Sequence, residues 1–376
     1  MKLQNPFPEY GYFGPEYFCD REQETEELIE ALLNGSNVTL IAPRRIGKTG
    51  LIHHAFERMK KRDKSVQCFY VDIFSTKKFS QMVQFMANAV MGKLDSPSQS
   101  IKRKLNTLIT ALRPTMTPDP LTGMPTFSFT VEPENARNTL EQVFQYMRDS
   151  ERQCFLAIDE FQQVSRYSEL GVDAFIRSII QFIPNVHIIF SGSQQHLLAD
   201  MFMSPEHPFF NSSQIMTIKE IDKDKYLNFA NGFFSRQKRE IGDEAFSYLY
   251  DMVDGQTWYI QKILNRLYRT PDGRLDKDDV LHAVNRIIGE QEINYQNNYN
   301  LLTENQAALL TAIACQGAVS APTSLDFVMR YRLSAPSSIK QALQSLQDKE
   351  FLFHDPTLGY KVYDRFFGLW LRRLGR

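Results

Sequence analysis

A chain of 376 residues, 43% of them hydrophobic and 23% charged, has the composition of a globular protein large enough for two or three domains. Its formal net charge of -1 excludes a general attraction to polyanions, so any nucleic-acid binding must be local. No stretch approaches the length of a membrane span, the N-terminus lacks the apolar run of a signal peptide, and the four cysteines lack metal-ligand spacing. These features predict a cytoplasmic protein with reduced thiols and no membrane partner.

The first predicted helix begins near Asp20 and ends at Gly35. Asp20 and Gln23 have the spacing of a capping box, in which each side chain bonds to the backbone of the other residue. Four residues form the apolar stripe of this helix: Leu28, Ile29, Leu32 and Leu33. The helix delivers the chain directly to a strand and a tight loop.

That loop, residues 42–49, lies between an apolar strand and a helix and fits the phosphate-binding pattern G-x-x-x-x-G-K-[ST], except that Ala42 replaces the first glycine. Successive N–H groups of such a loop converge on phosphate oxygens, and the positive end of the following helix dipole adds to the attraction. The predicted nucleotide-binding residues of this segment are Ala42, Pro43, Arg44, Arg45, Ile46, Gly47, Lys48, Thr49 and Gly50.

Two of these side chains have specific predicted roles. Lys48 can reach the β- and γ-phosphates, and the Thr49 hydroxyl can ligate Mg²⁺. Just before the first helix, Tyr17, Phe18 and Arg21 are candidates to contact the adenine ring. The alternative is that these three only pack against the helix.

The next part of the chain is less informative about function. A strand over residues 67–73 carries Asp72 at its C-terminal end, where α/β proteins place ligand-facing groups, although a structural role is equally open. Residues 101–112 have the pattern of a basic helix, and residues 126–130 alternate at strand period. We predict a surface insertion or small hairpin here, with no function that the sequence reveals.

A second strong motif follows at residues 154–160, where a continuous apolar run ends in two acids, Asp159 and Glu160. This pattern is typical of a buried parallel strand with a Walker B end. Asp159 is predicted to hold Mg²⁺, and Glu160 to orient and deprotonate the water that attacks the γ-phosphate. The alternative is that the acids only cap a helix after the strand.

Another strand, residues 186–190, ends near Ser193 and Gln194. In P-loop ATPases with an extra strand between the two Walker strands, a polar residue at this strand end senses the γ-phosphate. Either residue could do so; the alternative is that they cap a helix that continues from His196. Residues 215–218 would complete a set of five parallel strands alternating with helices.

After residue 222 the pattern becomes helical, and four predicted helices suggest a lid whose angle depends on bound nucleotide. Residues 301–376 then show three helices and a two-stranded wing, the order of a winged helix-turn-helix. Five polar residues would face outward from its third helix: Ser337, Ser338, Lys340, Gln341 and Gln344. They could contact duplex DNA, or this module could dock a protein or inhibit its own chain.

Together these features resemble the archaeal-type P-loop ATPases of the STAND class, the ATPase domain 2 family, which is related to AAA+ proteins and origin-recognition initiators. The resemblance implies an α/β P-loop fold with a parallel five-stranded sheet over residues 1–221, a helical lid over 222–300 and a winged helix over 301–376. It also implies ATP–Mg²⁺ binding, slow switch-like hydrolysis and nucleotide-coupled movement. The segments that carry it are residues 17–22, 42–49, 158–160, 190–193, 255–261 and 363–370.

The chain departs from the family pattern at three places. Ala42 replaces a glycine, Thr257 stands where a proline is common, and residues 208–212 contain Asn and Ser where the family often has an arginine. The last departure puts a trans-acting arginine, and therefore a ring-type hydrolysis mechanism, in doubt.

Three functions remain open from the sequence. The leading one is an ATPase switch that works through Lys48, Thr49, Asp159 and Glu160, with Ser193 as sensor. The others are a nucleotide-regulated DNA-binding protein and a signalling or defence scaffold that acts through a partner contact or self-association. A small-molecule kinase is disfavoured, because adjacent Asp and Glu suit water activation better than transfer to a metabolite.

Overall fold

The computed structural model describes residues 3–91, 93–94, 112–118, 125–270, 273–355 and 357–375, with the backbone alone for 112–118 and 125–128. Within these ranges the chain divides into two units. The first unit comprises residues 10–221, and the second comprises residues 222–375 together with residues 3–9.

The first unit is built on a parallel sheet. The strands of this unit are β1 (Val38–Ile41), β2 (Gln67–Asp72), β3 (Leu112–Pro118), β4 (Pro125–Val131), β5 (Cys154–Asp159), β6 (Val186–Gly192) and β7 (Gln214–Thr217). Five of them pair in parallel in the order β2-β5-β6-β1-β7, which confirms the predicted five-stranded sheet. The strand β6 lies between β1 and β5, as expected for a sheet with an extra strand between the Walker strands.

The three central strands are buried along their whole length, because helices cover both faces of the sheet. The helices of this unit are α1 (Glu22–Leu33), α2 (Lys48–Arg62), α3 (Phe79–Val90), α4 (Ala136–Arg148), α5 (Val172–Ile180) and α6 (Gln195–Met203). The first two contribute to one hydrophobic cluster and the other four to a second, on opposite faces of the sheet. Since all five strands run in parallel, their C-terminal ends meet at one edge.

The start of α1 differs from the predicted capping box. The helix begins at Glu22, and its N-cap is Arg21, which has a φ of 73° and makes no side-chain capping bond. Asp20 also has a positive φ, 53°, so the chain enters the helix through two left-handed residues. The predicted stripe is confirmed except at Leu33, which is 56% exposed.

The predicted hairpin is confirmed. The strands β3 and β4 pair antiparallel, and Phe129 donates its N–H to Asn88 Oδ1 on α3 at 2.8 Å. Most of the predicted basic helix, residues 101–111, lies outside the described residues, and Leu112 begins β3.

The second unit begins with a helical region. Its elements are α7 (Lys223–Phe234), β8 (Glu240–Ile241), α8 (Asp243–Met252), α9 (Thr257–Leu267), β9 (Arg274–Leu275), α10 (Lys277–Glu290) and α11 (Glu292–Asn300). The four predicted helices are present, but the purely helical pattern predicted for residues 222–300 is wrong, because the short strands β8 and β9 pair in parallel. The sequence Thr-Pro-Asp-Gly at residues 270–273 predicts a turn between the last two of these four helices, and it lies partly outside the described residues.

Residues 3–9 pack in this second unit through Phe7. The Phe7 ring is fully buried and lies 5.5 Å from the ring centroid of Phe234 and 5.7 Å from those of Phe233 and Tyr268. Asn265 Nδ2 donates to Phe7 O at 2.7 Å. An aromatic anchor and a buried hydrogen bond therefore hold the N-terminal segment to the helices.

The chain ends in a winged helix-turn-helix, as predicted. Its elements are α12 (Glu304–Gln316), α13 (Leu325–Tyr331), α14 (Pro336–Asp348), β10 (Leu352–Asp355), β11 (Gly359–Val362) and α15 (Arg365–Leu374). The strands form an antiparallel wing, and α15 is an additional helix that the pattern analysis does not predict. On α14 the polar residues predicted to face outward are exposed, except for Ser338, which is half-buried. Among the described residues, no helix is both long and apolar enough to cross a membrane.

Candidate active site

Backbone carbonyl groups of the loop between β1 and α2 hold the side chain of Lys48. Gly47 has a φ of 104°, a conformation that favours glycine, and it is the N-cap of α2. Lys48 Nζ donates to the carbonyl oxygens of Ala42 at 3.1 Å and of Pro43 at 3.0 Å. The ammonium group is therefore held at the mouth of a loop that precedes a helix N-terminus, where anions bind favourably.

Burial lowers the pKa of Lys48. The carboxylates of Asp159 and Glu160 oppose this shift, and the guanidinium of Arg44 adds to it. A buried cation with only partial compensation has a strong electrostatic reason to bind an anion.

Four groups converge on Asp159, which is buried at the C-terminal end of β5. Thr49 Oγ1 and the Tyr70 hydroxyl donate to Asp159 Oδ2 at 3.1 and 2.6 Å. Ser191 Oγ and the N–H of Glu160 donate to Asp159 Oδ1. Asp159 and Thr49 thus lie together, although 110 residues separate them in sequence.

Glu160 turns away from the strand in a left-handed conformation, with a φ of 58°. Its Oε2 accepts hydrogen bonds from Ser193 Oγ at 2.8 Å and from Gln162 Nε2 at 2.5 Å. Its side chain is thereby held at the sheet edge beside Asp159.

Of the two sensor candidates, Ser193 is the one held in the site. It is 5% exposed, and it also accepts a hydrogen bond from Arg44 Nε at 2.9 Å. Gln194 is the N-cap of α6 but makes no side-chain capping bond, and its Oε1 accepts from Arg166 at 2.9 Å. The capping alternative therefore gains no support from these two side chains.

The residues proposed to contact the adenine base pack against the phosphate loop and against α2. Arg21 is buried, and its guanidinium donates to Ile46 O at 3.2 Å and to Glu24 at 2.7 Å. Phe18 stacks on the ring of His54, with 4.5 Å between centroids, and it packs over Gly50 in the first turn of α2. Phe18 thus lies where a base could meet α2, whereas Arg21 shapes the phosphate loop; contact with the base stays a prediction.

The remaining candidate residues belong to the phosphate loop, the turn before α1 and the end of β2. Ile46 is buried, Arg45 has a φ of 67°, and Tyr17 is buried. Asp72 pairs in register with Asp159 across β2 and β5 and accepts the N–H of Phe74 at 2.8 Å. Partial burial and then the neighbouring carboxylates raise the pKa of Asp72.

Three residues of the site are not among those predicted: Tyr70, Ser191 and Gln162. Each has a weak signal in the sequence. Tyr70 and Ser191 are polar residues near the ends of otherwise apolar strands, and Gln162 follows the acidic pair by two residues. Only the strand order, which puts β2 and β6 on either side of β5, shows that the first two meet at Asp159.

The donor set fits Mg²⁺ and a nucleotide phosphate. The Asp159 carboxylate and the Thr49 hydroxyl lie 3.1 Å apart, and oxygen atoms are the ligands that Mg²⁺ prefers. No group of three His, Cys, Asp or Glu side chains within the described ranges could hold a metal by itself. Phosphate oxygens and water would therefore complete the coordination, as is usual for Mg²⁺.

Comparison with solved structures agrees with this fold. The chain is similar in structure to a Walker-type ATPase of Pyrococcus abyssi, with a TM-score of 0.65 and 17% identity over 98% of this chain and 99% of that chain. It is also similar to the Aeropyrum pernix ORC2 protein, solved as ADPNP–ADP complexes (TM-score 0.58, 14% identity, 100% and 98% covered). The Aeropyrum pernix ORC1 protein, solved in complex with DNA, gives a TM-score of 0.54 at 13% identity, with 99% and 96% covered. At these identities the likeness shows the fold: an α/β P-loop domain with a C-terminal winged helix.

Sequence families extend the comparison. A search of curated proteins finds no significant match. A family described as a probable winged helix domain matches residues 293–373. A second family, described as an ATPase domain predominantly from Archaea, matches residues 18–263, which include every residue of the site described above except Tyr17. The chain belongs to this family of predominantly archaeal ATPase domains.

Proposed function

We propose that this protein binds ATP with Mg²⁺ at the edge of the sheet, hydrolyses it slowly, and uses the nucleotide state as a molecular switch. The observation that carries the proposal is the convergence of Lys48, Thr49, Asp159 and Glu160 at the C-terminal ends of β1 and β5. These are the groups that phosphoryl transfer to water requires: a phosphate-binding cation, metal ligands and a proton acceptor.

In this proposal Lys48 binds the β- and γ-phosphates, and Asp159 and Thr49 hold Mg²⁺. The metal would neutralise charge on the phosphate oxygens. Glu160 accepts a proton from the attacking water, while Ser193 and Gln162 hold its carboxylate in place. Because a positioned base contributes about 10²- to 10⁴-fold, its orientation matters as much as its presence.

Phosphate release from Mg·ATP, with nucleotide affinity measured in parallel, tests this proposal. Wild type should bind and turn over ATP, and Lys48→Ala should lose both. Lys61→Ala is a matched control, because Lys61 lies on the same helix but is 64% exposed and pairs with Glu57. Absence of ATP binding by wild type would refute the proposal.

The switch requires that nucleotide state reach the second unit. Hydrogen exchange of residues 222–375 should differ between Glu160→Gln loaded with ATP and the same variant loaded with ADP. Identical hydrogen exchange in the two states would refute the switch and leave only the proposed ATPase activity.

Duplex DNA is the second candidate partner. It is favoured by the exposure of Ser337, Lys340, Gln341 and Gln344 on α14, the third helix of the winged domain. Binding in a gel shift should fall steeply with salt, and Lys340→Ala should weaken it. If no DNA binds, a protein partner of residues 301–376 becomes the better proposal.

A further inference from the structure

Arg44 joins the phosphate loop to the end of a neighbouring strand. Its Nε donates a hydrogen bond to Ser193 Oγ at 2.9 Å, and its guanidinium carbon lies 5.6 Å from the centre of the Phe74 ring. The side chain therefore crosses from the loop after β1 to the residue just after β6.

The direction of the hydrogen bonds follows from the chemistry of the groups. A guanidinium can only donate, so Ser193 must accept from Arg44 and direct its own hydrogen to Glu160 Oε2, which lies 2.8 Å away. A permanent positive charge is thus two hydrogen bonds from the carboxylate proposed to activate water. Arg44 also helps to lower the pKa of Lys48, which indicates that both cations act on the same small volume.

The reaction needs such a charge. In phosphoryl transfer, negative charge is spread over the equatorial oxygens of the transferring group, and an arginine from the same chain or from a partner commonly stabilises it. The segment 208–212, where related ATPases often have an arginine that could act on a neighbouring subunit, contains none in this chain. Arg44 is already inside the site of its own chain.

We infer that Arg44 supplies, within one chain, the cation that stabilises the transferring phosphoryl group; this rests on the proposed ATP hydrolysis. The oxygen of water bonds to the γ-phosphorus, and the bond from that phosphorus to the β,γ-bridging oxygen breaks to give ADP and phosphate. The water proton passes to Glu160 and then to solvent, and Arg44 keeps all its protons. The same guanidinium would contact the γ-phosphoryl group and bond to Ser193, so Ser193 would connect bound substrate to Glu160.

The test compares Arg44→Ala and Arg44→Lys with wild type, using kcat, ATP affinity and the trapping of ADP with aluminium fluoride, which imitates the transferring phosphoryl group. Arg44→Ala should lose about 10³-fold in kcat and fail to trap ADP–aluminium fluoride, while ADP affinity changes less than about threefold. Added guanidinium should restore part of the turnover. Arg177→Ala is the control, because Arg177 is a half-buried residue of α5 whose guanidinium donates to Gln181 on the same helix face.

A mixing experiment tests whether the arginine acts within its own chain. An equimolar mixture of Arg44→Ala and Glu160→Gln should stay inactive, because each chain lacks one of two groups that must act together. Recovery of turnover in the mixture would overturn the inference and show an arginine acting between chains.

Two other results separate the two proposals. If wild type hydrolyses ATP and Arg44→Ala traps ADP–aluminium fluoride equally well, the inference falls and the proposed function stands. If wild type shows no turnover at all, both fall.

Discussion

The phenol of Tyr70, on the edge strand β2, donates its hydrogen to Asp159 Oδ2 at 2.6 Å. Burial, followed by the charge of Asp159, raises the pKa of Tyr70, so the phenol remains a donor throughout the working pH range. Thr49 Oγ1 donates to the same oxygen. The proposed metal ligand is therefore oriented by two neighbours from different elements.

Removal of this phenol should weaken Mg²⁺ binding. Partners that orient a metal ligand typically contribute 10- to 100-fold to metal affinity, and we expect Tyr70→Phe to raise the Mg²⁺ concentration for half-maximal turnover by about 10-fold. Tyr167→Phe is the control, because Tyr167 is also buried but pairs with Thr76 away from the carboxylates. An unchanged Mg²⁺ titration would show that Tyr70 only packs.

Gly192 leaves room for Gln162. A Cβ at Gly192 would lie 2.0 Å from Gln162 Oε1, so Gly192→Ala must displace the amide that donates to Glu160. We expect turnover to fall at least 10-fold while ATP affinity is retained, because the base loses its orientation. The control is Gly232→Ala at an exposed position of α7, where a Cβ meets nothing within 4 Å; there the alanine should raise stability by up to about 1 kcal/mol. Equal turnover by Gly192→Ala and wild type would contradict this assignment.

The sequence predicts those parts of the site that have a local sequence pattern: the phosphate loop, the buried strand that ends in Asp159, and Ser193. It does not predict Tyr70, because its contact depends on β2 lying beside β5, and the hairpin and α4 separate these strands in the chain. The start of α1 is also mispredicted. Two successive left-handed residues, Asp20 and Arg21, are costly without glycine, and bonds from the Arg21 guanidinium to Ile46 and Glu24 help to hold this entry.

The final helix, α15, could have been predicted. Asp364 accepts the N–H of Phe367 as its N-cap, and Phe366, Phe367, Trp370 and Leu371 are buried at helical spacing.

Within the second unit, Asp254 connects the segment before α9 to the wing and to α15. Its carboxylate pairs with Lys361 at 2.5 Å and Arg365 at 2.9 Å, and both cations are about nine-tenths buried. We expect Asp254→Asn to lower the free energy of unfolding by about 2 kcal/mol, between the values for exposed and buried ion pairs. Asparagine tolerates the positive φ of 51° at this position, so backbone strain should not contribute.

Urea unfolding measures this loss, and a double-mutant cycle with Lys361→Met separates the pairwise contribution from the rest. Asp251→Asn, at an exposed site on the preceding helix, is the control. A loss no larger than that of the control would show that the ion pairs do not stabilise the unit.

His187 should make the first unit less stable at acidic pH. Burial lowers its pKa below the ordinary value of 6.5, so the unfolded chain binds a proton more readily than the folded one. The stabilisation is therefore complete above pH 6.5 and is lost as pH falls from there through the folded pKa. His53 and His54 are shifted in the same direction and add to the trend. Denaturant unfolding from pH 7.5 to 5 should show a shallower decline for His187→Gln than for wild type; parallel curves would contradict this assignment.

The most direct measurement of the central claim is Mg·ATP turnover by Glu160→Gln beside wild type, with ATP affinity measured on both. Glutamine keeps the shape of the side chain and can still accept from Ser193, but it cannot take a proton from water. We expect turnover to fall by about 10²-fold or more while ATP affinity changes by less than about threefold. Turnover equal to that of wild type would contradict the assignment of Glu160 as the base, and with it the account of this site as one that hydrolyses ATP through the paired carboxylates.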